Sequence, residues 1–209
     1  MDTGSGYLLV VEDDPDILRL LDATLTYMGY RVVQARNGRE GLEAVRKERP
    51  AAVIADIMMP RLDGFGMVHR LRLEPKTRDI PVIFITATYV TPDDKEFALT
   101  IGATRFIQKP IDLDHFLKTV EELLRQEVRV EIQPLAEFDF YDGYRKRLEA
   151  KLKQKNKQIA RDEHLLGTHT DERNESLQTS LRQSIMERDE LKLLLDQVQQ
   201  KLKKIAVQE

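Results

Sequence analysis

The chain contains no cysteine, which excludes disulfide staples and thiol chemistry. Its first residues, Met-Asp-Thr-Gly-Ser-Gly-Tyr, lack the basic flank and long apolar core of a secretion leader. No apolar run approaches the roughly 20 residues that a bilayer-spanning helix needs. Together these absences lead to the expectation of a soluble, cytoplasmic protein.

The 209 residues suffice for one ordinary domain plus an extension. Residues 1–127 carry 17 Lys/Arg against 21 Asp/Glu, a net charge of −4, whereas residues 128–209 carry 16 against 15, a net charge of +1. The second stretch is also poor in Val, Ile and Phe. This contrast predicts a compact domain over 1–127, a linker over 128–140 and a solvated helical extension over 141–209.

In the first part, apolar runs of strand length alternate with amphipathic stretches of helix length. Predicted strands are Tyr7–Val11, Arg31–Ala35, Ala52–Asp56, Pro81–Thr86 and Arg105–Gln108. Predicted helices are Pro15–Met28, Arg39–Glu48, Phe65–Leu73, Thr91–Ile101 and Asp112–Arg125. Several strands are apolar throughout, as strands covered on both faces must be. Five strand–helix repeats imply a doubly wound α/β domain with a five-stranded parallel sheet.

Ligands of such sheets bind outside the carboxyl ends of the strands, so the residues ending each strand matter most. The first strand is followed by Glu12, Asp13 and Asp14, the third ends in Asp56, the fourth in Thr86, and the fifth is followed by Lys109 and Pro110. Crowded carboxylates repel unless a cation sits among them, and a hard, oxygen-liganded ion such as Mg²⁺ suits the set. A carboxylate can attack phosphorus to give an acyl phosphate. A transferring phosphoryl group spreads charge over three oxygens, which an ion, the Lys109 ammonium and the Thr86 hydroxyl could share. Asp14, directly before Pro15, reads instead as a helix N-cap.

The set Val10-Val11-Glu12-Asp13-Asp14-Pro15, Asp56-Ile57-Met58-Met59-Pro60, Gly64, Thr86-Ala87 and Gly102-Ala103-Thr104-Arg105-Phe106-Ile107-Gln108-Lys109-Pro110 resembles the response-regulator receiver (CheY-like) family of two-component signalling. The resemblance covers roughly residues 7–125, with its parts in the right order. It implies a flavodoxin-like fold and Asp56 as phosphoacceptor for a histidine kinase or phosphotransfer protein. It further implies Asp13 and Asp56 as Mg²⁺ ligands with the Met58 carbonyl, Glu12 acting through water, and Lys109 pairing with the phosphoryl group. Thr86 and Phe106 would be the residues that move together on activation, on the face built from the fourth helix, fifth strand and fifth helix. Self-phosphorylation and hydrolysis are the only chemistry expected. The stretch after Gly102-Ala103 lacks the paired acidic residues of winged-helix regulators, and no winged-helix or helix-turn-helix pattern follows. An adaptor built on a receiver fold, or the regulatory piece of a larger enzyme, is the alternative.

Residues 141–166 are rich in good helix formers, with Tyr141, Tyr144, Leu148, Leu152, Ile159 and Leu166 near helical spacing. Lys155 and Asp162 interrupt that seam, and Gly167 to Thr170 break it. A second helix, capped by Thr170 with Asp171 and Glu172 in its first turn, carries a heptad pattern strongest over 171–206. Leu177, Ser184, Leu191, Val198 and Ile205 hold one seam position; Leu181, Arg188, Leu195 and Leu202 hold the other. The pattern predicts a coiled coil that makes the protein a homodimer, with a helical hairpin favoured over one continuous rod. Arg145 through Arg161 holds eight basic residues and one acidic one. They surround the helix with no base-reading motif, so solvated helix surface is preferred to nucleic-acid contact.

Overall fold

A computed structural model describes residues 6–86, 92–125, 134–168 and 173–207. Ala87, the stretch 128–133 of the expected linker, and the expected cap Thr170 with Asp171 and Glu172 lie outside the described residues. The chain divides into two units, Met1–Leu135 and Ala136–Glu209.

In the first unit, the elements run β1 (Leu8–Val11), α1 (Pro15–Tyr27), β2 (Val32–Ala35), α2 (Gly38–Lys47), β3 (Ala52–Asp56), α3 (Gly64–Leu73), β4 (Val82–Thr86), α4 (Pro92–Thr100), β5 (Arg105–Gln108) and α5 (Leu113–Arg125). All pairings are parallel, and the strand order is β2-β1-β3-β4-β5. This is the doubly wound arrangement whose order reverses between β1 and β3, where a ligand crevice opens. The three central strands are buried at every residue, which explains their unbroken apolar runs. One face packs Val10, Ile54, Ile83, Ile85 and Ile107 against Leu18, Leu21 and Leu25 of α1 and Phe116, Val120 and Leu123 of α5. On the other, Phe65 meets Phe84 and Phe97 edge to face at centroid distances of 5.4 and 5.1 Å. Each such large side chain stabilises the fold by about 1.5–3 kcal/mol on burial.

Helix starts follow local chemistry. The Asp14 carboxylate accepts from the N–H groups of Asp16 and Ile17 at 2.8 and 3.3 Å, with Pro15 following it, so Asp14 serves as the cap. Asn37 caps α2 in the same manner. Asp63 caps α3 by accepting from the Gly66 N–H at 2.7 Å.

The second unit is two long helices, α6 (Glu137–Thr168) and α7 (Arg173–Ile205). They pack side by side, and Lys155 reaches Glu187 at 2.7 Å, a pairing that an antiparallel hairpin permits and a rod does not. One expectation needs correcting: α6 starts at Glu137, inside the stretch read as linker. Glu137 and Asp139 in the first turn favour a helix N-terminus, and Phe140 is buried with Tyr144 and Leu148 at spacings of four residues. The heptad seam of α7 is used within the chain. Ser184, Leu191, Leu195 and Val198 are buried, facing α6 rather than awaiting another copy. Lys155, which interrupts the α6 seam, is accommodated by its ion pair with Glu187.

Candidate functional site

Parallel strands deliver their carboxyl ends to one edge of the sheet, and the topological switch separates the chain leaving β1 from that leaving β3. Glu12 directly follows β1 and Asp56 closes β3. Both are side chains that water would normally hold, yet they are 2% and 6% exposed. With Asp13, which is exposed, they bring one carboxylate oxygen each to within 4.8 Å of one another.

The compensating charge comes from the end of β5. Lys109 Nζ stands 2.8 Å from Glu12 Oε2 and 3.1 Å from Asp56 Oδ1. The other Asp56 oxygen, Oδ2, accepts from the Met58 N–H at 2.7 Å. The Lys109 N–H donates to the Thr86 carbonyl at 2.6 Å, which ties the lysine backbone to the end of β4. The Lys109–Pro110 peptide is cis. Thr86 is buried and pairs with Gln108, while Phe84 pairs with Phe106. Thr86 and Phe106 therefore share a face of the sheet as diagonal neighbours on adjacent strands. Phe106 is half-buried, and Lys95 Nζ of α4 lies 5.7 Å from its ring centroid.

One ammonium does not balance three carboxylates. Burial, and then repulsion from Asp56, push the Glu12 carboxyl up to about 7 despite its bond to Lys109. Asp56 is likewise raised, chiefly by burial, against the pull of Lys109 and the Met58 N–H. Asp13 is raised by partial desolvation. Burial alone would lower Lys109, but Asp56 and Glu12 outweigh it and raise the ammonium. Three carboxylates against one ammonium leave surplus negative charge at a largely buried site, and a small divalent cation bound by oxygens relieves that surplus.

All six residues singled out at the strand ends and beside them (Glu12, Asp13, Asp56, Met58, Thr86 and Lys109) lie at this edge. Asp14 is taken up by capping. Two features were not foreseen. Lys109 bridges Glu12 and Asp56 at once, and the loop after β3 is braced from α2, where the Gly38 N–H donates to the Leu62 carbonyl at 2.8 Å. A side chain at Gly38 would press on that same carbonyl. The asparagine cap before Gly38 marks a helix start in the sequence, but nothing local reveals what the glycine touches.

Fold and strand-end chemistry together have the form of a signalling receiver domain. Residues 8–121 match the response regulator receiver domain, and the chain belongs to that family. Over 117 residues it is 37% identical to the protein PilH of Pseudomonas aeruginosa, covering 56% of this chain and 96% of that protein. Over 123 residues it is 36% identical to the DNA-binding dual master transcriptional regulator RpaA of Synechocystis, covering 59% of this chain and 51% of RpaA. The chain spans about half the length of several curated relatives it matches. Among solved structures, the signal receiver domain of a signal transduction histidine kinase from Syntrophus aciditrophicus superposes with a TM-score of 0.55 at 36% identity, covering 63% of this chain and 99% of that one. Chemotaxis protein CheY4 of Vibrio cholerae gives 0.54 at 30% identity, covering 56% and 98%. The chain thus carries a receiver domain, followed in sequence by a helical hairpin. No described helix is long and apolar enough to cross a membrane.

Proposed function

We propose that this protein accepts a phosphoryl group on Asp56 from a histidine kinase, a phosphotransfer protein or a small phosphodonor. The observation that carries the reading is the buried Asp56 carboxylate held between Lys109 and the Met58 N–H, beside Glu12 and Asp13. Both Asp56 oxygens already have one partner, which fixes the carboxylate without consuming all its lone pairs. A lone pair on one oxygen forms the bond to phosphorus as the donor's P–N or P–O bond breaks. The leaving imidazole then takes a proton from solvent, whereas acetyl phosphate, its P–O bond broken, releases acetate.

The surplus charge suits Mg²⁺, which Asp13, Asp56 and the Met58 carbonyl would hold, with Glu12 acting through water. When bound, it neutralises negative charge on the transferring phosphoryl oxygens. Lys109 pairs with a second phosphoryl oxygen, exchanging part of its present bond to Asp56 for a charge-assisted one. Thr86 supplies a hydroxyl donor to a third. Drawing Thr86 inward alters the space beside Phe106, its diagonal neighbour, and so biases two arrangements of the α4–β5–α5 surface. Hydrolysis by water returns Asp56 to its starting state.

The hairpin after the receiver serves as a self-association element through which the phosphorylation state is reported. Because the heptad seam of α7 already faces α6, that association needs a surface other than the seam. The phosphoryl reading is tested by incubating the full chain with acetyl phosphate, with and without Mg²⁺, and following intact mass. A single phosphoryl adduct that needs Mg²⁺ and is absent from Asp56→Asn is expected; equal labelling of Asp56→Asn would refute the assignment.

A further inference from the structure

Gly38 opens α2 where the loop between β3 and α3 passes beside it. Its place is set by the residues around it. Oδ1 of the buried Asn37 accepts from the Arg39 and Glu40 N–H groups, both at 3.1 Å. The Glu40 carboxylate in turn accepts from the Asn37 side-chain amide at 2.7 Å and from the Arg36 N–H at 2.9 Å. This reciprocal capping arrangement fixes the first turn of α2, and Gly38 stands inside it.

The loop it faces, residues 57–64, is closed on itself. The Gly64 N–H donates to the Ile57 carbonyl at its base, and the Leu62 N–H donates to the Pro60 carbonyl at its tip, at 2.9 and 2.8 Å. Arg61, at that tip, holds a left-handed backbone with φ of 68°. A residue other than glycine keeps that conformation where its surroundings impose it. Two ties come from α2: the Gly38 N–H donates to the Leu62 carbonyl at 2.8 Å, and the Arg61 guanidinium lies 3.7 Å from the Glu40 carboxylate. The second is exposed and holds little by itself. At Gly38 the backbone is not left-handed, so space alone keeps a side chain out. A Cβ there would stand 2.7 Å from the Leu62 carbonyl oxygen and 3.1 Å from that of Asp63, backbone atoms that cannot swing aside.

We infer that Gly38 is a positioning residue for the cation and phosphoryl site: by letting α2 come within hydrogen-bond reach, it sets the loop that carries Met58. This role rests on the proposed chemistry at Asp56, in which the Met58 carbonyl helps to hold the cation. The Met58 N–H anchors Asp56 Oδ2 at 2.7 Å, so a shift of this loop disturbs the acceptor carboxylate and the ligand carbonyl together. Helix packing alone would be served by apolar contacts between α2 and α3. Here α2 also aims a backbone donor at the backbone of the site's own loop.

Manganese(II) serves as the probe, because sites of hard oxygen ligands accept it in place of Mg²⁺; its free-ion electron paramagnetic resonance signal falls on binding. Titrations use the full, unphosphorylated chain, with circular dichroism checking the fold. Gly38→Ala should weaken Mn²⁺ binding by about tenfold, as loss of an outer support for metal ligands does. The Mg²⁺ concentration for half-maximal acetyl phosphate labelling should rise to match. Val45→Ala separates this from destabilisation alone. Val45 is buried on the same face of α2, two turns further on, and its variant should bind Mn²⁺ as the wild type does. Wild-type affinity in Gly38→Ala, or an equal loss in Val45→Ala, overturns the inference. Should Gly38→Ala not fold, Glu40→Ala at a partly exposed position decides: opening the cap should weaken Mn²⁺ binding severalfold, and unchanged binding overturns the inference. A wild-type chain that labels on Asp56 while these variants bind Mn²⁺ normally leaves the phosphoryl reading standing. A wild-type chain that neither binds Mn²⁺ nor takes label overturns both.

Discussion

Lys109 holds two buried carboxylates in place that would otherwise repel each other, and by the proposed mechanism it later holds the phosphoryl group. Its side chain is 18% exposed and faces the crevice rather than the core, so Lys109→Ala should fold normally. Losing one preorganised cation from a transferring anion costs about 10²-fold in rate, and acetyl phosphate labelling should slow by that order. Unchanged labelling kinetics in Lys109→Ala would remove the residue from the mechanism. His69 supplies a residue-scale prediction about pH. It is 4% exposed, and burial first, then Arg70, lower its imidazolium to about 4 from the ordinary 6.5. Between those values the unfolded chain binds a proton that the folded chain does not. Stability is therefore full above pH 6.5 and declines as pH falls towards 4. The shift corresponds to at most about 3 kcal/mol. Urea midpoints at about pH 7.5 and about pH 5 should differ less in His69→Leu than in the wild type. An identical slope in both would show that other groups govern the acid limb.

At the scale of elements, the link between β3 and α3 decides whether the site is held open or distorted. Gly64 begins α3, and its N–H donates to the Ile57 carbonyl at 2.9 Å. A methyl group there would run into the Asp56 carbonyl and the Phe84 ring. Gly64→Ala should cost about 1–3 kcal/mol by overpacking and slow labelling as well, because the displaced backbone carries Asp56 itself. Denaturant unfolding and labelling rate, measured on one preparation, check both effects; a fully stable and fully active variant would contradict the packing. The strands and helices of the receiver were legible because a parallel sheet covered on both faces needs unbroken apolar runs, and the site because its residues fall at strand ends. Less was legible where specificity depends on distant contacts. The start of α6 was misread because Pro134 and β-branched residues suggested a linker up to residue 140, while the pairing of Phe140 with Tyr144 becomes evident only in the helix. The α7 heptads announce a partner helix without saying whose, and here it is α6 of the same chain. The double bridge from Lys109 to Glu12 and Asp56 spans 97 residues to one partner, beyond the reach of any local pattern.

The whole molecule joins two units with separate cores, and every residue proposed for phosphoryl chemistry lies in the first. Leu148→Ala combined with Leu195→Ala removes large apolar groups from the buried sides of α6 and α7. Each such truncation costs about 2–5 kcal/mol when fully buried. Helical signal should fall and protease cleavage within 137–205 should rise, while labelling of Asp56 continues at the wild-type rate. Loss of labelling in that variant would show that the receiver depends on the hairpin for its chemistry. The account turns on one atom-level event, the formation of an acyl phosphate at Asp56. Borohydride reduces an aspartyl phosphate to homoserine, so peptide mass spectrometry after acetyl phosphate, Mg²⁺ and borohydride treatment reads the site directly. Homoserine at position 56 alone, and only when Mg²⁺ is present, is the predicted result; homoserine at another aspartate, or at none in a folded, Mg²⁺-treated chain, would contradict the account.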